Sequence, residues 1–231
     1  AEQAWCVTNN GTGLTTLTVS GGLSDGAASF GLTHSGNGVL VLAGSNSFDG
    51  AVSVAGGTLR AAHSQALGST NGATAVALGA RLEVGGGVTV GEPVTLAADG
   101  TADGGGNLRA TDGVNVWAGR VTQTGSARVG AAAGCRLTLA GGVSGAYSLY
   151  LAPAAGGEVA VSGAPADLGS TASTRFLYAR GAGTVALGAA GNVFGTLEVA
   201  GGVLRADMPG AWPSGVILTV GSSYSPNGTV D

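Results

Sequence analysis

Few residues of this chain could do chemistry, and they lie far apart. His34 and His63 are the only histidines. His63 precedes Ser64, but a Ser–His–acid site also needs a third group and an oxyanion hole. Nothing in the local spacing supplies either, so both histidines are expected to be structural or superficial. Asp99, Asp103 and Asp112 cluster around the glycine-rich run Ala98–Asn107, and oxygen ligands on such a loop could hold Ca²⁺. The nonapeptide of calcium-binding rolls and the EF-hand spacing are both missing. Solvated turn carboxylates are therefore the plainer expectation, with no cofactor. Cys6 and Cys135 are the only thiols.

The basic residues narrow the classes further. All nine are arginine, which excludes a lysine Schiff base, a Walker lysine and a Lys–Asn isopeptide crosslink. A formal net charge of −4 without a basic cluster argues against nucleic acid and against attachment to anionic lipid. No apolar run approaches the ~20 residues of a membrane helix. The opening AEQAWCV lacks a basic stretch followed by an apolar core, so it does not read as a signal peptide. On that reading the chain is intracellular or already processed.

The elements that must position these groups are short strands. Glycine makes up 46 of the 231 residues, while 44% are apolar and only 10% charged. This is neither a disordered nor a collagen-like composition. Residues Gly38–Ser69 return without a gap at Gly183–Ser214, and the shared core V-A-G-G-x-L-R-A falls at Val54–Ala61 and Val199–Ala206. Alternating apolar residues between paired glycines predict strands joined by sharp turns. A returning strand–turn–strand unit predicts a solenoid whose coils bury one another. No segment sustains a helical period free of glycine.

A second signature precedes the turns: Asn46-Ser47-Phe48-Asp49-Gly50, Asn115-Val116-Trp117-Ala118-Gly119 and the shorter Asn192-Val193-Phe194-Gly195. Asparagine tolerates a left-handed backbone and bonds nearby main chain, which suits a coil corner. The aromatics are expected to pack rather than to stack on sugars. Threonines between apolar neighbours, as at Val94-Thr95-Leu96, read as β-propensity on a solvent face.

The strings G-x-L-x-L-x-G, N-x-F-x-G and V-x-A-G-G-x-L-x-A resemble the autotransporter-associated β-strand repeat of bacterial passenger domains. The middle of the chain resembles it too, through Asn107-Leu108-Arg109, Asn115–Gly119 and Leu137–Gly142. The resemblance implies a right-handed parallel β-helix, an extracellular or cell-surface location, and a structural, adhesive or biofilm-type role. The family's C-terminal β-barrel has no counterpart here, and no capping domain is obvious. In a bacterial protein the sequons at Asn10 and Asn227 are expected to be accidental.

The expected fold is thus all-β, a single β-solenoid over residues 1–231. It comprises an N-terminal coil or arm (1–35), a repeat body (36–220) and a tail (221–231), with 20–25 residues per coil. Parity places Val39, Val41, Val52, Val54, Leu59, Leu137, Leu139, Leu197, Val199 and Leu204 in the core. A β-sandwich is the runner-up. The first functional expectation is a non-enzymatic subunit of a surface fibre or matrix, assembled from copies of itself head to tail through exposed strand edges. The alternative is an adhesin-type passenger segment binding host or surface glycans. A carbohydrate-active enzyme is a weaker third, because acids are sparse and Arg60 and Arg205 read as repeat elements beside turn glycines. Cys6 and Cys135 lie too many coils apart for an internal bridge in a regular stack. Free or buried thiols are expected first, and an intersubunit Cys6–Cys135 bond second.

Overall fold

A computed structural model describes residues 2–9, 13–26, 28–99, 105–169 and 175–221. Asp103, the tail beyond Gly221, and the sequon residues Asn10 and Asn227 lie outside them. Among the described residues there is no helix, and every strand pairing is parallel. The strands stack in three sheets. Sheet A has eight strands, from Gln3–Cys6 to Ala166–Asp167, and sheet B has ten, from Thr16–Val19 to Ile217–Val220. Sheet C has six, from Thr89–Val90 to Val203–Ala206. Each coil passes from A to B and, from the fourth coil on, to C as well. This is a parallel β-solenoid, not a sandwich.

Coil length varies more than expected. One rung climbs in 19 residues, Val39 to Thr58, and another takes 29, Gln3 to Leu32. The variation falls at corners, so the rungs stay in register and like residues stack. Along sheet B one interior column reads Leu40, Leu59, Leu82, Leu108, Val129 and Leu151. All six are 0% exposed, and each contributes about 1.5–3 kcal/mol by leaving water.

That column corrects the core assignment at one strand. In Val39–Leu42 the two leucines, Leu40 and Leu42, point inward, and Val39 and Val41 are only half-buried on the outer face. Both faces of VLVL are apolar, so alternation cannot choose between them. The neighbouring Thr58–Ala61 strand decides, because Leu59 must face inward and its register partner is Leu40. Val52, Val54, Leu59, Leu137, Leu139 and Leu197 are buried as expected, whereas Val199 and Leu204 are half-buried against the core.

The corners depend on glycine. Gly57 in the first copy of V-A-G-G-x-L-R-A has φ +61°, and Gly202 in the second has φ +66°. A Cβ at Gly57 would lie 2.5 Å from the carbonyl oxygen of Gly38, one rung below, and one at Gly202 would meet Gly183 in the same way. Gly191 has φ +75° but open space around it. Gly57→Ala is therefore expected to cost more than the ~1–2 kcal/mol of a left-handed alanine, and Gly191→Ala about that alone. Urea midpoints of the two variants measure the difference. Equal losses would mean that the corner does not constrain rung spacing.

Candidate functional site

The corner asparagines act through their side chains. No non-glycine residue among those described has positive φ, so the left-handed role expected of them does not occur. Asn192 instead accepts from the Ala166 amide at 2.8 Å and donates to the carbonyls of Ala189 and Ala211 at 2.7 and 2.8 Å. Asn46 likewise joins Leu23 N to Ala66 O, and Asn115 joins Val88 N to Asp112 O. Each sits between consecutive coils and satisfies main-chain groups that a corner removes from the ladder. Their companions Phe48, Trp117 and Phe194 are buried. These aromatics pack, as expected.

The candidate chemical groups do not converge. His34 is fully buried in sheet A, in register with Trp5 and Val54, and burial lowers its pKa. His63 accepts from the Gln65 amide through Nδ1 at 3.1 Å. Asp99, after a sheet A strand, pairs with Arg128 at 3.2 Å. Asp112 lies beyond the following sheet B strand and accepts from the Gly86 amide. The two described aspartates of the calcium candidate thus occupy different corners. Among the described residues no three His, Cys, Asp or Glu side chains gather as a metal site would require.

Cys6 is exposed on the first sheet A strand and Cys135 is buried before the sheet C strand Arg136–Leu139; both are free thiols. Five rungs separate their coils, about 24 Å at the inter-strand spacing. A disulfide spans at most about 7 Å between Cα atoms.

The feature that sequence reading missed lies on the outer face of sheet B. Here the outward column carrying Arg109 continues as Gly130 and then Ala152. The next rung brings Arg180, whose amide donates to Leu151 O at 2.8 Å. Two successive rungs without bulk leave a trough of about 490 Å³, with a guanidinium at either end. The adjoining outward column, Arg128–Tyr150–Tyr178–Glu198, forms one wall.

That wall is rigid. Tyr150 and Tyr178 stack at 4.5 Å between ring centroids, and Phe176 stacks on Tyr178 at 5.1 Å. The Arg180 guanidinium lies 4.4 Å from the Tyr178 centroid and pairs with Glu198 at 3.2 Å. Arg128 lies 5.6 Å from the Tyr150 centroid. Cation–π contact and ion pairing hold both guanidinium planes. Burial, with Tyr150 and Glu198 nearby, pushes the Tyr178 hydroxyl pKa up and keeps it protonated as a donor. The signal in the sequence was Tyr150 and Tyr178 themselves. They are 28 residues apart, longer than the expected coil, so the pattern did not align them.

Parallel rungs, glycine corners and asparagine clamps define a solenoid built from repeats. Residues 32–61 match the passenger-associated-transport-repeat family. They span the strands Leu32–Ser35 through Thr58–Ala61, which is the stretch around the first copy of the repeat. The chain is also similar to an adhesin, the BmaC autotransporter of Brucella suis biovar 1 (strain 1330), with 40% identity over 99 residues. That match covers 41% of this chain and 3% of the relative. No solved structure matches significantly. The chain is passenger-like in its repeat and in its fold. No helix of the described residues is long and apolar enough to cross a membrane.

Proposed function

We propose that this chain is a stretch of an extracellular, cell-surface passenger of the adhesin kind, with a non-enzymatic, ligand-contacting role. The observation that carries the reading is the passenger repeat at residues 32–61 within a regular solenoid, supported by similarity to an autotransporter adhesin. A solenoid suits such work because its outward columns are free to vary while its inward columns hold the stack. Host or surface glycans are the proposed partners. Head-to-tail fibre assembly from copies of this chain has less support, since the similarity is to an adhesin. Among the described residues no set of side chains is arranged for carbohydrate cleavage.

The test is binding by the purified chain on an array of immobilised glycans and on cultured host cells. The expected result is saturable retention by a subset of glycans, without fibres in electron micrographs at the same concentration. Fibres that form with rising concentration and bind neither surface would replace this reading with the structural one.

A further inference from the structure

We propose that the trough between Arg109 and Arg180 binds an acidic glycan, a chain of carboxylated sugars lying along the solenoid axis. The inference rests on the adhesin reading and names its site and ligand class. The argument begins with register. Arg109, Gly130, Ala152 and Arg180 occupy four successive rungs of one outward column, so the terminal guanidiniums stand about three rungs, or ~14 Å, apart. Arg128 stands beside them on the neighbouring column. A ligand that meets all three must carry repeated negative groups along a line.

Guanidinium forks match carboxylates in a bidentate, planar manner. The forks are pre-positioned here. Asp99 holds Arg128, and Glu198 with the tyrosine stack holds Arg180. A guanidinium that shares one ion pair keeps further N–H donors for a second acceptor.

The tyrosine rings stack mainly on each other and under Arg180, so they act as a wall rather than as platforms. The floor, Gly130 and Ala152, admits close approach to main chain. An extended peptide adding as a strand would need unpaired backbone, and this face lies in the middle of sheet B, where the ladder is complete on both sides. A flexible polyanion held by charge alone is disfavoured by the chain's net −4. Spaced acids on a stiff sugar chain fit the remaining requirements.

The test is calorimetric titration of the folded chain with an oligogalacturonate. Its methyl ester, a heparin oligosaccharide and a single-stranded oligonucleotide serve as comparisons. Binding of the oligogalacturonate is expected, with at least a tenfold weaker response to the ester and the oligonucleotide. Arg109→Gln and Arg180→Gln should each weaken it about tenfold. Ala152→Leu, which fills the floor without changing charge, should do the same. Arg120→Gln, an equal charge loss on an exposed residue next to sheet A, should leave it unchanged.

Circular dichroism confirms that each variant is folded, and Ala152→Leu carries the test if an arginine variant is not. Equal binding of ester and acid, preference for the oligonucleotide or heparin, or an equal loss in Arg120→Gln would overturn the proposal. Failure to bind the oligogalacturonate overturns this site while leaving the adhesin reading intact, provided that the glycan array or cells still retain the protein. If they do not, both fall.

Discussion

Asn192→Leu is expected to lower the stability of the C-terminal coils by about 3 kcal/mol. The Asn192 side chain makes three buried hydrogen bonds, from Ala166 N and to Ala189 O and Ala211 O. A typical buried hydrogen bond is worth roughly 1 kcal/mol net, and an orphaned buried polar group costs about 1–3. Leucine has similar volume, so the loss reports the missing bonds rather than a cavity. Because each coil contacts only its neighbours, the effect should be local. Hydrogen exchange at the Ala166 amide should accelerate markedly, while the amides of Val54 and Leu59 keep their protection. A loss below about 1 kcal/mol, or uniform acceleration throughout, would show that the amide does not join these coils.

The second large effect concerns pH. Glu92 is 2% exposed, and its one partner among the described residues is the Thr74 hydroxyl, which donates to it at 2.9 Å. Burial pushes its pKa up from 4.5 to about 7, and the Thr74 bond offsets this in part. The folded chain thus favours the protonated acid. Glu92 costs nothing below about pH 4.5. Its penalty grows as pH rises, at about 1.4 kcal/mol per unit, and levels off above pH 7 near 3 kcal/mol.

His34 acts in the opposite sense. Its pKa is lowered by burial, so stability is lost as pH falls below the ordinary histidine value of about 6.5. Between pH 4.5 and 6.5 the two slopes oppose each other, and the parent chain should show a shallow profile. Glu92→Gln should remove the alkaline loss and expose the acid one. His34→Leu should leave a steady fall from pH 4.5 to 7. Denaturant midpoints across pH 4–8 measure all three chains. Parallel profiles would show that neither group is buried in the way described.

The prominence of corners also bears on the repeat. In its first copy V-A-G-G-x-L-R-A joins the strand Val52–Val54 of sheet A to Thr58–Ala61 of sheet B. In its second copy it joins Thr196–Val199 of sheet B to Val203–Ala206 of sheet C. The same eight residues thus make different corners of the coil. What they encode is local: a strand, a left-handed glycine and a second strand. Which sheets those strands join depends on how many residues the rest of the coil contains.

The sequence alone therefore determined whatever is decided within one turn of chain. Strand alternation, the glycine corners, the buried corner aromatics and the solenoid class all follow from contacts between near neighbours and from one returning unit. Tertiary structure decided what depends on register between coils. Val39 and Val41 face outward because Leu40 must stack on Leu59. Burial of Glu92 and His34 follows from the rungs above and below them. The arginine–tyrosine trough arises because steps of 21, 22 and 28 residues bring Leu108, Val129, Leu151 and Ala179 into a single column. That alignment sets Arg109 and Arg180 on either side of Gly130 and Ala152. Corner loops absorb such differences in length at little cost in closure entropy, so the spacing of residues along the chain does not reveal which of them share a column.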